Sequence, residues 1–209
     1  LWSLGKEKRF KTGMMLNTAK GYLRMRKKVF YAELENGEMA ITTRVEQSIS
    51  KQNQETITSE SWDEKLLKTF RKYKRLGAEL VIKRFPALIT TTSDIVNWLD
   101  ELEREFGIKF DVGFIDYGLL MGAISGKTDD FNRISDAFLD IKNLAESKKY
   151  EAIYTAAHIT REGDKRTKYK YHSTDIAKCI DIPKHIDALW GIQENDTELE
   201  NGVMRLEVI

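Results

Sequence analysis

The stretch FDVGFIDYGLLM, residues 110–121, is a nearly continuous apolar run that carries an acid, Asp116, near its end. A half-solvated strand alternates apolar and polar residues. This one does not, which fits a strand buried on both faces of a mostly parallel sheet. Its flanks agree. Upstream, SDIVNWLDELEREF (93–106) opens on Ser/Asp and sets Ile95, Leu99, Leu102 and Phe106 along one helical face. Downstream, FNRISDAFLDIKNLAES (131–147) spaces Phe131, Ile134, Phe138, Ile141 and Leu144 for another buried helical face.

The elements go on alternating outward from there. KKVFYAELE (27–35), AELVIKRF (78–85), YEAIYTAAHI (150–159), HIDALWGI (185–192) and GVMRLEVI (202–209) read as strands, with a short LWSL before them all. GMMLNTAKGYLRM (13–25) places Met14, Met15, Ala19 and Leu23 near helical spacing. MAITTRVEQSI (39–49) and WDEKLLKTFRKY (62–73) also read as helices, and 50–61 as a polar loop. Such alternation predicts an α/β fold with right-handed crossovers and ligands at the carboxyl ends of the strands. Two prolines, no low-complexity linker and no internal repeat favour one continuous domain.

Composition narrows the class. The chain has 209 residues, 41% hydrophobic and 32% charged, enough to bury a substantial core. No run approaches the ~20 apolar residues of a membrane span, and no signal-peptide core is visible. The chain does not begin with Met, which reads as a fragment of something longer. The single cysteine, Cys179, cannot pair internally, so a reducing cytosol is the simplest setting. The net charge of +1 does not announce nucleic acid. Charge is unevenly spread, however: 68–75 and 163–172 are basic and 193–200 is acidic.

The strand ends carry the chemistry. LWSL runs into GKEKRFKTG (5–13), which holds Gly5 and Lys11-Thr12, the two ends of a phosphate-binding loop of the form G-x-x-x-x-G-K-[ST]. In such a loop the N–H groups at the helix start cradle phosphates, the lysine reaches the β- and γ-phosphates, and the hydroxyl ligates Mg²⁺. The other ends are Glu35, Asp116 and His158. An Asp there holds the metal, a Glu polarises the attacking water, and a polar residue senses the γ-phosphate. Glu33 and Glu38 are rivals of Glu35, since alternation puts Glu33 and Glu35 on one face.

Taken together, FDVGFIDYGLLM, FNRISDAFLDIKNLAES, YTAAHITREG and STDIAKCIDIPKHIDALWGI resemble the RecA-like motor domain of DnaB-type hexameric replicative helicases over nearly the whole of residues 1–209. The resemblance implies a RecA-like P-loop NTPase core whose Walker A residues are Lys11 and Thr12, with Asp116 as the Walker B acid. It implies Glu35 as catalytic base, His158 as γ-phosphate sensor, and ATP and Mg²⁺ as cofactors. It implies a homo-hexamer on single-stranded DNA, with primase and a helicase loader as further partners, in a bacterial cell that includes the phage-encoded case. The N-terminal domain, the linker and the arginine finger are expected outside this chain, with Arg161 and Arg205 as weak stand-ins.

The DNA contacts are expected in the loop 160–172, where Lys165, Arg166, Lys168 and Lys170 interleave with Tyr169 and Tyr171, and at Lys178 in DIAKCI. Phe10 departs from the pattern, standing where the loop requires a glycine. That substitution favours a rival reading, a RecA-like ATP-binding module with reduced or lost hydrolysis serving as a recombination mediator or ring component.

Overall fold

The run that decides the class forms strand β4 (Val112–Asp116), and every one of its residues is buried. The computed structural model describes residues 2–5, 10–50, 60–159, 176, 181–193 and 195–209. Before β4 come β1 (Trp2–Gly5), α1 (Lys11–Arg24), β2 (Lys28–Glu33), α2 (Glu38–Ser50), α3 (Glu60–Arg75), β3 (Glu79–Arg84) and α4 (Thr92–Phe106). After it come α5 (Asp130–Lys148), β5 (Ala152–His158), β6 (Leu189–Gln193), α6 (Asp196–Glu200) and β7 (Arg205–Val208). One seven-stranded sheet runs in the order β3-β2-β4-β5-β1-β6-β7. All neighbours are parallel except the last pair, in which β7 runs antiparallel to β6.

Two cores explain why β2 and β4 are apolar without a break. On one face Val29, Tyr31, Val112 and Phe114 pack with Met15, Leu16, Ala19 and Leu23 of α1 and Ile41 and Val45 of α2. On the other, Phe30, Ala32 and Ile115 pack with Ile95, Trp98 and Leu99 of α4 and Ile134, Phe138, Ile141 and Leu144 of α5. Each fully buried side chain of this size stabilises the fold by about 1.5–3 kcal/mol. Gly113 has no side chain because the Phe30 ring fills its place. That ring makes edge contacts with Trp98, Phe110 and Tyr150.

Several boundaries differ from the sequence reading. α4 starts at Thr92, and its cap is Thr91, whose N–H and hydroxyl both donate to Asp94 at 2.8 Å. Gly107, at φ 66, ends it. Phe106 is 65% exposed and Phe131 43% exposed, because each stands in a terminal turn beyond the edge of the sheet. Residues 185–188 are not strand: Pro183 opens a 3-10 turn over Ile182–His185, and β6 begins only at Leu189. β2 ends at Glu33, two residues before the expected end. Of the polar loop, 51–59 lie outside the described residues, and Glu60 is already helical.

The segment after β4 is tied down from α5. Arg133, buried, donates to the carbonyls of Leu119 (3.1 Å) and Met121 and pairs with Asp130 at 2.9 Å. Asp129 caps α5 by accepting the Asn132 N–H.

A Cβ at Gly113 would stand 2.2 Å from the Phe30 ring, inside a filled core. Gly113→Ala is therefore expected to destabilise the fold by about 1–3 kcal/mol. The denaturant midpoint should fall with an unchanged slope; an unchanged midpoint would contradict this packing.

Candidate active site

Sheet register brings four chain positions to one edge. Gly5 at the end of β1 pairs with His158 at the end of β5, and Glu33 at the end of β2 pairs with Asp116 at the end of β4. α1 follows β1 across residues 6–9, which lie outside the described residues. Its first helical bond runs from the Met14 N–H to the Phe10 carbonyl at 2.8 Å, so the N–H groups of residues 11–13 precede the ladder at the positive end of the helix.

Asp116 is the fixed point. It is buried, and its carboxylate accepts the Tyr31 hydroxyl at 2.7 Å and the hydroxyl of Thr12. Burial pushes its pKa up, while those two hydrogen bonds and the charges of Arg44 and Lys11 hold it down. Lys11 is buried as well. Beside this group opens a cavity of about 590 Å³, lined among others by Lys11, Thr12, Glu35, Asn36, Arg44 and His158. The His158 ring stands edge-on to Tyr117 at 4.9 Å.

The two glutamates at the end of β2 separate into different environments. Because the strand stops at Glu33, alternation does not carry Glu35 to the same face. Glu33 is fully buried beside Asp116, and its Oε1 accepts the N–H groups of Glu35 (2.8 Å) and Asn36. Glu35, next in the turn, is exposed and borders the cavity. Burial and the charge of Asp116 push Glu33 up to about 7, against the pull of the N–H donors of Asn36 and Glu35.

The site thus gathers Gly5, Lys11, Thr12, Glu35, Asp116 and His158 at one sheet edge. Lys165, Arg166, Lys168, Lys170 and Lys178 lie outside the described residues, as does Arg161. Arg205 pairs with Glu198 at 2.9 Å on β7. Sequence reasoning missed Arg44, Tyr31 and the buried role of Glu33. The available signal was position: α2 leaves the carboxyl end of β2, so a cation in its early turns must border whatever binds there.

The residues fit Mg²⁺. A hydroxyl and a carboxylate held together are hard oxygen donors, and Mg²⁺ in phosphate sites takes one or two protein oxygens, with phosphate and water completing its shell. Among the described residues no cluster of three or more His, Cys, Asp or Glu offers an all-protein metal site. No helix among them is long and apolar enough to cross a membrane.

No family model matches the chain, and no curated protein matches it either. Solved structures do. One is a DnaB-like replicative helicase, described with its interactions with primase: TM-score 0.76, 18% identity, 95% of this chain and 49% of that one covered. Another is the ATPase domain of a second helicase, at TM-score 0.78 and 17% identity, covering 100% of this chain and 74% of that one. The fold is that of a RecA-like helicase ATPase domain. The chain spans about half the length of the DnaB-like helicase it matches.

Glu33 carries a pH signature. Its folded pKa lies above the ordinary 4.5, so its contribution to stability is complete below about 4.5 and is lost as pH rises to about 7. Over that window the wild type should lose about 3 kcal/mol relative to Glu33→Gln. Denaturation series at several pH values check this; parallel curves would contradict it.

Proposed function

We propose that the chain is the ATPase motor domain of a DnaB-type replicative helicase. It hydrolyses ATP to translocate on single-stranded DNA and unwind duplex, in the bacterial cytoplasm or from a phage-encoded copy. The observation that carries this reading is the bonded set Thr12–Asp116–Tyr31, with Lys11 beside it and Glu35 and His158 on the same cavity.

In this reading the N–H groups of residues 11–13 and the Lys11 ammonium receive the phosphates. Thr12 and Asp116 hold Mg²⁺, which when bound neutralises charge on the β- and γ-phosphates. Tyr31 keeps one Asp116 oxygen turned into the bonded set. Glu35, exposed to water, orients and deprotonates the attacking water. Its neighbour Glu33 is poorly suited to that work, since its carboxylate is buried under the turn and already bonded to it. His158 stands where the end of the phosphate chain is read, and Tyr117 limits its rotation.

The fold likeness supports further proposals about the whole protein. They are a homo-hexamer with sites between subunits, an arginine supplied in trans, single-stranded DNA held by Lys165, Arg166, Lys168, Lys170 and Lys178, and docking of primase and a loader. A second reading keeps nucleotide binding without turnover, and Phe10 favours it, since its φ of 50 is unusual for a residue with a side chain.

Turnover by the full-length protein with and without single-stranded DNA tests the two readings. DNA-stimulated hydrolysis should fall about 10²-fold or more in Lys11→Ala. Glu35→Gln should lose about 10²–10⁴-fold while still binding Mg-ATP. Binding without turnover in the wild type would favour the second reading. Neutralising Lys165, Arg166, Lys168 and Lys170 should weaken single-strand binding and flatten its salt dependence; an unchanged slope would remove that loop from the DNA site.

A further inference from the structure

Phe10 is the residue that breaks the phosphate-loop pattern, and the structure gives it a definite place. It is the N-terminal cap of α1, in the left-handed region at φ 50 and ψ 14, with no side-chain capping bond. Its ring is 50% exposed and lines the cavity. The ring lies across Gly13, so that a Cβ there would stand 2.4 Å from Phe10 Cε2 and 2.7 Å from Cδ2.

Gly13 sits in the first turn of a regular helix, where a glycine is a poorer helix former than alanine. The helix does not call for a glycine at that position; the aromatic ring does. Phe10 and Gly13 are a matched pair, one supplying a flat apolar face and the other leaving room to seat it.

The pair points to one half of the cavity. Phe10, Gly13 and Asn17 follow one another at helical spacing along one side of α1. Asn17 Nδ2 donates to the Gly13 carbonyl at 3.0 Å, and Ser48 Oγ donates to Asn17 Oδ1 at 2.9 Å. Leu16, Asn17, Gln47 and Ser48 line the cavity on that side. The cations and carboxylates that suit a phosphate chain are elsewhere, around Lys11, Thr12 and Asp116. An aromatic face bordered by amide and hydroxyl groups suits a flat heterocycle or its sugar.

We infer that Phe10 is a specificity-determining residue, offering its ring to the nucleoside half of the bound nucleotide while Gly13 stays bare to seat it. The inference rests on the nucleotide-site reading above and deepens it. On this account the glycine-to-aromatic exchange adds a contact to the nucleoside and leaves the phosphate grip to the backbone and Lys11.

The test measures equilibrium binding to the full-length protein, with Mg²⁺, of a non-hydrolysable ATP analogue and of inorganic triphosphate. Asn tolerates the left-handed region, so Phe10→Asn removes the ring and keeps the turn. It should weaken the nucleotide about 10-fold and leave triphosphate unchanged, and Phe10→Tyr should restore the nucleotide. Gly13→Ala should weaken the nucleotide in the wild-type background and add nothing to Phe10→Asn. Equal weakening of both ligands, unaltered nucleotide binding, or tighter nucleotide binding in Phe10→Asn would overturn the inference while the nucleotide-site reading stands. A wild type that binds neither ligand would overturn both.

Discussion

The structure turns on one buried carboxylate. Asp116 ends a strand covered on both faces, where an ionised group is costly unless it is satisfied. The Tyr31 hydroxyl and Thr12 satisfy it from two directions, one from the neighbouring strand and one from the helix that follows β1. Those bonds require β2, β4 and α1 to meet in register at one edge. The same requirement gathers Lys11, Glu35 and His158 around one cavity.

The support for this point runs back through the sheet. Tyr31 stacks on Phe114 with ring centres 5.8 Å apart, and Phe114 stacks on Tyr154 at 4.8 Å, both pairs tilted by only 9°. Tyr154 in turn shares a hydrogen bond with Tyr22 of α1 at 2.8 Å. The hydroxyl that holds Asp116 thus stands at the end of an aromatic row laid across three strands. A side chain locked along its whole length presents its polar tip with little freedom. On the opposite face, the packing of Phe30 into the space above Gly113 fixes the approach of β2 to β4 just before their carboxyl ends.

Much of this was legible in the sequence, for identifiable reasons. An apolar run with no alternation can only be a strand covered twice, and 110–121 is one. Lys11, Thr12, Asp116 and His158 stood at strand ends or helix starts, where the fold class itself predicts a site. Glu35 was harder, because alternation along VFYAELE treats Glu33 and Glu35 as equivalent until the strand is known to stop. Phe106 and Phe131 fit their helical stripes and are still exposed, since a stripe says nothing about where the opposing sheet ends. Arg44 looked like an ordinary surface cation on α2; only the direction of that helix brings it to the cavity. Phe10 read as a fault because sequence shows the missing glycine but not the bare Gly13 one turn on.

Hydrogen exchange on the full-length protein, with and without Mg²⁺ and a non-hydrolysable ATP analogue, tests the central claim most directly. The account predicts slowed exchange together at residues 10–17, 33–36, 116–118 and 158, the segments that meet at the carboxyl edge of the sheet. Nucleotide-dependent protection that leaves those segments unchanged and falls elsewhere would contradict it.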